Sequence, residues 1–233
     1  MVTGALRSGA NAEANYDRLS RWYDLLTFFG ERKATGAALR ALDVSGKERV
    51  LEIGFGTGRA IVAIAHSAGA EGEVQGIDIS RGMIDVTRKR LEKAGLGGRV
   101  ILQKGDARQL PYQDNHFDAV FMSFTLELFE TPGIRDVLLE CLRTLRPEGR
   151  ICVASLSNQG RRGPVYRSYE WSHRRFPSIV DCRPIHLRQF LGEAGFQALD
   201  SKMMSIWRLP VEIALGSKPA CLPPAAKVST CQG

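Results

Sequence analysis

The stretch that decides the fold of this chain is Val50-Leu51-Glu52-Ile53-Gly54-Phe55-Gly56-Thr57-Gly58. A short apolar run ends in three glycines at alternate positions, and apolar residues return at helical spacing from Ile61 to Ala65. This pattern predicts a strand, a tight turn and a helix. Glycine allows positive φ and lets a ligand approach bare backbone N–H groups. The stretch therefore predicts a nucleotide-binding crossover.

The spacing of the glycines discriminates among nucleotide-binding turns. A dinucleotide fingerprint would carry Gly or Ala at position 59, where this chain has Arg59, which disfavours NAD and FAD. A P-loop would continue with Gly-Lys and then Ser or Thr, and this sequence does not. Taken alone, the stretch also fits an ordinary glycine-rich turn between a strand and a helix. The rest of the chain has to decide between these interpretations.

Composition bounds the class of protein. With 233 residues, 44% hydrophobic and 24% charged, the chain fits one globular domain with appendages. The formal net charge of +7 is compatible with a nucleic acid, an anionic membrane surface or an acidic substrate. Five widely spaced cysteines without a C-x-x-C pair suggest neither a disulfide framework nor a zinc site. We expect a cytoplasmic protein that is soluble or at most peripheral to a membrane, with no metal.

The opening stretch also carries a family resemblance. Glu52, Gly54, Gly56 and Gly58 resemble motif I, acidic-x-Gly-x-Gly-x-Gly, of the class I S-adenosylmethionine (SAM) methyltransferases. The resemblance extends over roughly residues 11 to 215. It implies SAM as cofactor and S-adenosylhomocysteine as product.

A second strand is predicted at Glu73 to Ile79, with Asp78 at its end. Asp78 lies 24 residues after Gly54, where a doubly wound fold places the acid that binds the ribose. A helix N-cap is the alternative, although Ser80 offers one as well. After the third strand comes Gly105-Asp106-Ala107, and the family resemblance implies that Asp106 accepts a hydrogen bond from the adenine amino group. The alternative for Asp106 is a plain turn residue.

The resemblance implies further contacts with the cofactor. The apolar residues between Tyr16 and Phe29 recur at helical spacing and resemble the N-terminal segment of quinone C-methyltransferases, which covers the cofactor. Tyr23 would lie there beside the sulfonium cation, where cation–π attraction is favourable; core packing is the alternative. The remaining residues that the resemblance places at the cofactor are Phe55, Ile79, Ala107 and Ser123.

The implied architecture is α/β, a doubly wound, seven-stranded, mostly parallel Rossmann-like sheet with an N-terminal helical cover. We predict the cover at residues 1–46, the SAM-binding core at 47–215 and a disordered tail at 216–233. Periodicity is lost from about 157 to 181, which indicates an insertion that covers the substrate.

The segment after the fourth strand restricts the class of acceptor. It reads Ser123-Phe124-Thr125-Leu126-Glu127. It lacks the Asn/Asp-Pro-Pro-aromatic and Pro-Cys turns of nucleic-acid base methyltransferases, so nucleic acid is an improbable partner. It resembles small-molecule methyltransferases, including those of ubiquinone and menaquinone synthesis, but Glu127-Leu128 stands where the quinone enzymes have Arg-Asn. Glu127 could be a general base, a holder of a cationic amine, or a solvent-facing or helix-capping carboxylate. His186 and His173 are further candidate bases, or else packed or exposed residues.

The sequence thus predicts methyl transfer from SAM to a small lipophilic acceptor such as a quinone, a phenol or a lipid-like molecule. N-methylation of an amine or a phospholipid headgroup is the first alternative. A catalytically silent SAM-binding subunit is the second. The oligomeric state is not indicated.

One segment suggests contact with a membrane. Residues 161–176 contain five arginines and one glutamate, a local charge of +4, interleaved with Tyr166, Tyr169, Trp171 and Phe176. Arginines near an anionic leaflet contribute about 1 kcal/mol each, and aromatic rings favour the interface. We expect either peripheral contact with an anionic membrane, or a surface lid whose arginines pair with acids elsewhere.

Overall fold

The computed structural model describes residues 30–159, 183–206 and 209–220. In these ranges the helices are α1 Gly30–Leu42, α2 Arg59–Ser67, α3 Arg81–Lys93, α4 Thr131–Thr144 and α5 Leu187–Glu193, with a 3₁₀ turn at Leu126–Leu128. The strands are β1 Arg49–Ile53, β2 Glu73–Asp78, β3 Val100–Lys104, β4 Phe117–Ser123, β5 Leu145–Leu156, β6 Gln197–Ile206 and β7 Leu209–Ser217.

The seven strands form one sheet in the order β3-β2-β1-β4-β5-β7-β6. β1 pairs in parallel with both β2 and β4, and β7 runs antiparallel to its neighbours β5 and β6. The predicted doubly wound, mostly parallel sheet is therefore confirmed. The strand order reverses beside β1, and in such sheets ligands bind outside the carboxyl ends of the strands at this switch point.

Helices cover both faces of the sheet. Apolar side chains of α4 and α5 form one core with Leu51 and Ile53, whereas those of α1, α2 and α3 form a second core with Val50. Successive residues of β1 point to opposite faces, so this strand contributes to both cores. A parallel sheet covered in this way has apolar strands, as in β4, where Ala119 and Phe121 are fully buried.

The predicted end of the ordered chain was placed too early. We expected a disordered tail from Gly216, but Gly216 pairs with Ile151 and Ser217 pairs with Arg150 in the sheet. The reason is that the antiparallel pairing of β7 with β5, which runs from Val211 opposite Leu156 to Ser217 opposite Arg150, includes both residues. The rest of the predicted tail, residues 1–29 of the helical cover and residues 160–182 of the insertion lie outside the described residues.

Lys218 fastens the chain at the amino end of the sheet. Its buried ammonium donates to Asn115 Oδ1 and to the carbonyl of Leu145, each at 2.7 Å. Its backbone N–H donates to the carbonyl of Gly149 at 2.8 Å. Burial lowers the pKa of this amine. Since a buried cation is costly without partners, these bonds fix the end of β7 against the start of β5.

Within the described residues, no helix has the length and the apolar character that crossing a bilayer would require.

Candidate active site

The glycine turn links β1 to α2 at the carboxyl edge of the sheet. Gly54, Gly56 and Gly58 have φ values of 69°, 49° and 77°. The Gly54 N–H donates to the carbonyl of Ile77 at 2.8 Å, which ties the turn to the end of β2. Because L side chains rarely adopt this left-handed region, glycine is the residue that fits all three positions without strain.

The three glycines differ in their surroundings. A Cβ at Gly54 would lie 2.3 Å from the side chain of Thr125, and one at Gly58 would lie 2.5 Å from that of Thr87. A Cβ at Gly56 would meet no atom of the described residues within 4 Å. Gly54 and Gly58 are therefore required by close packing, whereas Gly56 faces open space through which a ligand can reach the backbone.

Asp78 anchors the turn from the end of β2. Its Oδ2 accepts the N–H of Gly56 and its Oδ1 accepts the N–H of Ser80, both at 2.9 Å. Ser80 caps α3 with its own side chain, which accepts the N–H of Met83 at 3.3 Å. The N-cap of α3 is therefore Ser80 and not Asp78. Because a carboxylate oxygen can accept more than one hydrogen bond, anchoring the turn is compatible with the predicted ribose contacts.

Glu52 places a carboxyl group in the core beside the turn. The residue is 2% exposed, and its Oε2 has no hydrogen-bond partner among the described residues. Burial, together with the negative charge of Asp78, raises the pKa of Glu52 to about 8. A buried acceptor without a partner is costly, and a ligand that carries a cation or an N–H donor would relieve this cost.

The raised pKa of Glu52 predicts a pH-dependent stability. The folded protein holds this proton up to a pKa of about 8, whereas the unfolded chain loses it near the usual glutamate pKa of 4.5. Unfolding between these values releases a proton, so the free energy of unfolding falls as the pH rises. We expect Glu52→Gln to flatten this fall, so that the variant gains stability over the wild type from about pH 5 to about pH 8.

Denaturant titrations across that range measure the effect. Glu71→Gln is the control, because Glu71 is an exposed partner of Lys47 with a side chain 70% accessible. The same pH slope in Glu52→Gln and the wild type would contradict the prediction.

The turn after β3 lies beside the same edge. The Gly105 N–H donates to the carbonyl of Asp78 at 3.1 Å. The Asp106 carboxylate is bound by Arg108, whose Nε lies 3.0 Å from Oδ2, and this contact lowers the pKa of Asp106. An adenine contact of Asp106 would have to share the carboxylate with Arg108, so this role stays a prediction. Ala107 is buried beside it.

The other predicted cofactor residues occupy different surroundings. Ile79 is half-buried at the end of β2. The Phe55 ring is buried against Gly76, where a Cβ would lie 2.7 Å from the ring, so its side chain serves the core. Ser123 Oγ lies 2.8 Å from Thr35 Oγ1 of α1, which joins the end of β4 to that helix. Tyr23 lies outside the described residues.

The candidate bases lie near the end of β5. Glu127 is 1% exposed, and its Oε1 accepts the Leu156 N–H at 3.1 Å. It is therefore not the solvent-facing carboxylate that the sequence left open. His186 is exposed at the start of α5, with Nε2 3.0 Å from Asn158 Nδ2. His173 lies outside the described residues. The part of the chain that is described holds no group of three or more His, Cys, Asp or Glu side chains arranged for a metal ion.

Sequence reasoning missed two threonines that shape the turn. The Thr87 hydroxyl donates to the carbonyl of Gly56 at 2.8 Å. The Thr125 hydroxyl donates to the carbonyl of Gly54 at 3.3 Å. In the sequence Thr87 carried no predicted role, and Thr125 lay in the segment that borders the acceptor. Their local patterns carry no sign of these contacts, because the partners lie 31 and 71 residues away.

Comparison with known proteins identifies the family. Residues 50–149 match the methyltransferase domain family. The ubiquinone/menaquinone biosynthesis C-methyltransferase UbiE of Pseudomonas fluorescens is 36% identical over 144 residues, which cover 62% of this chain and 54% of that protein. The demethylmenaquinone methyltransferase of Lactobacillus johnsonii is 32% identical over 167 residues, covering 71% of this chain and 66% of that protein. The chain belongs to the class I SAM-dependent methyltransferases.

The fold of this methyltransferase also resembles solved structures. The [4+2]-cyclase SpnF superposes with a TM-score of 0.74 at 20% identity, covering 92% of this chain and 97% of that one. This likeness concerns the fold alone. The matched region spans between about half and two thirds of the length of the two methyltransferase relatives.

The cofactor of this family is SAM, and the residues present fit it. Three groups lie around one turn: Gly56, Asp78 and Glu52. Among the described residues, no atom would block a ligand at the Gly56 backbone, and Glu52 Oε2 has no partner. The backbone at Gly56 suits a close-lying part of SAM, the Asp78 carboxylate suits its ribose, and Glu52 suits its cationic amino acid portion. The predictions of the family and of its cofactor are confirmed.

Proposed function

We propose that this methyltransferase transfers the methyl group of SAM to a small lipophilic acceptor of the quinol type. The observation that carries the proposal is the match to two relatives whose names describe methylation in ubiquinone or menaquinone synthesis, at 36% and 32% identity. The methyltransferase-domain match at residues 50–149 includes the glycine turn, Asp78 and the segment that follows β4. These are the parts that hold the cofactor and border the acceptor.

Each residue has a proposed role at this edge of the sheet. When bound, SAM supplies an electrophilic methyl group on a sulfonium. Gly56 lets it approach the backbone, Asp78 accepts from the ribose hydroxyls, and Glu52 accepts from the amino group. Asp106, Ala107, Ile79, Phe55, Ser123 and Tyr23 complete the proposed cofactor contacts. In-line displacement at the methyl needs positioning and exclusion of water more than it needs a reactive side chain.

The acceptor can be tested directly. The protein is incubated with methyl-labelled SAM and one of three probes: a demethylmenaquinol, a lipophilic amine or a phospholipid with an amine in its headgroup. Mass spectrometry then detects which probe gains the label. Labelled menaquinol supports the proposal, and labelled amine or phospholipid replaces it with N- or headgroup methylation. SAM binding without transfer to any probe indicates a silent SAM-binding subunit.

A lipophilic acceptor would be taken up at a membrane, and the proposal extends to peripheral contact with an anionic leaflet. Support comes from the basic and aromatic composition of residues 161–176, which lie outside the described residues. We expect flotation with anionic but not zwitterionic liposomes at low salt, and loss of flotation at high salt because the attraction is screened. Changing Arg174 and Arg175 to Glu should abolish it.

The matched control for flotation changes Arg88 and Lys89 to Glu on α3, which alters the charge equally elsewhere on the surface. Flotation that is lost in both double variants would indicate a general charge effect. No flotation of the wild type with either vesicle would refute the membrane contact.

A further inference from the structure

The short segment between β4 and α4 places one carboxyl group between two parts of the site. Phe124 has a left-handed φ of 54°, and its N–H donates to the carbonyl of Ala154 in β5 at 2.8 Å. A phenylalanine in this region carries strain that the surroundings must hold, and here its ring is buried. The kink turns the chain so that Thr125 meets Gly54 of the glycine turn and Glu127 meets Leu156 of β5. Glu127 therefore lies where the ends of β4 and β5 border the cofactor turn.

The surroundings of Glu127 leave one of its oxygens unused. Oε1 accepts the N–H of Leu156, but Oε2 is buried without a hydrogen-bond partner among the described residues. Burial raises the pKa of Glu127 to about 8. A buried acceptor atom left without a donor is costly for folding, which points to a proton or a ligand that it takes up during function.

A second carboxyl group acts on the first from α1. Glu31 lies in the first turn of that helix, and its negative charge contributes to the raised pKa of Glu127. Burial raises the pKa of Glu31 itself to about 7. The bond between Thr35 and Ser123 holds α1 at the end of β4 and so keeps the two carboxyl groups near one another.

The other elements packed against the 3₁₀ turn bring few charges. β5 presents the Leu156 N–H. From α4 comes Glu130, which is exposed at the start of that helix. Arg183 donates from Nη2 to the carbonyl of Phe129 at 2.7 Å. Glu31 is the charged side chain that raises the pKa of Glu127.

We propose that Glu127 accepts the proton that the acceptor loses on methyl transfer, and that Glu31 is the positioning residue that tunes Glu127 for this task. The inference rests on the proposed function. In the reaction the bond between sulfur and methyl breaks and sulfur keeps the electron pair. The acceptor carbon or oxygen forms the new bond to the methyl group, and its proton passes to the Glu127 carboxylate, which later releases it to water. A base of this kind is most effective when it titrates near the working pH.

Two measurements test the pair. Infrared difference titration of the SAM-free protein, with the spectrum of Glu127→Gln subtracted, isolates the protonated carboxyl of Glu127 from that of Glu52. We expect its signal to vanish with a midpoint near pH 8, and near a lower pH in Glu31→Gln, because removing the neighbouring negative charge favours ionisation. A midpoint that is the same in Glu31→Gln as in the wild type would overturn the tuning of Glu127 by Glu31, whether or not the protein methylates quinols.

The second measurement is kinetic. With demethylmenaquinol, Glu127→Gln should lower kcat by about 100-fold or more, the lower end for general base catalysis, with unchanged affinity for SAM. In Glu31→Gln the rising limb of the pH profile should move to lower pH. Glu130→Gln is the matched control and should leave kcat and the profile unchanged. Near-normal kcat in Glu127→Gln would refute the role of Glu127 as the base. Absence of transfer by the wild type would instead refute the proposed acceptor. In that case the infrared titration still tests whether Glu31 tunes Glu127.

Discussion

Gly56→Val should abolish detectable SAM binding and leave a folded protein. A Cβ at this position would meet no atom within 4 Å in the part of the chain that the structure describes, so the valine side chain would fill the space proposed for the cofactor. The φ of 49° adds strain of about 1–2 kcal/mol for a residue other than glycine. We expect the affinity, measured by calorimetry, to fall at least about 100-fold, which corresponds to roughly 2.7 kcal/mol.

Gly69→Val provides the matched control for this effect. Gly69 has a similar φ of 66°, and among the described residues a Cβ there would also meet nothing within 4 Å. It follows α2, away from the glycine turn. Both variants should lose similar stability in thermal denaturation, but only Gly56→Val should lose SAM. Equal affinity in the two variants would show that the space above Gly56 is not the approach of the cofactor.

Asp78→Ala should weaken SAM binding by about 1.5–3 kcal/mol, the range for hydrogen bonds to a charged group, or roughly 10- to 150-fold. Two causes act together. The variant loses the proposed ribose acceptor, and it also loses the bond at 2.9 Å that holds the Gly56 N–H. Asp78→Asn retains one carbonyl oxygen and should lie between the wild type and alanine in affinity.

Asp118→Ala is the control that separates the loss of a hydrogen-bonded acid from the loss of the cofactor site. Asp118 Oδ2 accepts the backbone N–H of Arg49 at 2.6 Å, and Oδ1 lies 2.6 Å from Arg146 Nη1, both at the amino end of the sheet. This variant should lose stability but bind SAM as the wild type does. Wild-type affinity in Asp78→Ala would refute the ribose role.

The sequence predicted the parts of the fold that depend on local pattern. Alternating glycines after an apolar run placed the turn at residues 54–58, and the spacing to Asp78 placed the acid that the structure brings to Gly56. Both predictions succeeded because a parallel sheet puts the carboxyl ends of neighbouring strands at one edge. The resemblance at motif I then led to the prediction that the cofactor is SAM.

What escaped prediction depends on contacts between distant residues. Thr87 and Thr125 pack on Gly58 and Gly54, and the left-handed Phe124 turns Glu127 towards β5. The start of β5 is also hidden from local pattern. Pro147 and Gly149 locally favour a turn, yet β5 begins at Leu145. It pairs Leu145 with Phe117 and then resumes at Arg150 opposite Ala119, and such a break in register within a strand has no local signature.

The Lys218 contacts lie at the opposite end of the sheet from the proposed active site, so the two ends should differ in how well they tolerate substitutions. The buried ammonium binds Asn115 and the carbonyl of Leu145 at the amino end, whereas the cofactor turn and Glu127 lie at the carboxyl end. Redesign of acceptor specificity can therefore concentrate on the loops after β4 and β5 without disturbing this anchor. Truncation for crystallography should retain Lys218, and an affinity tag is best joined beyond Ala220.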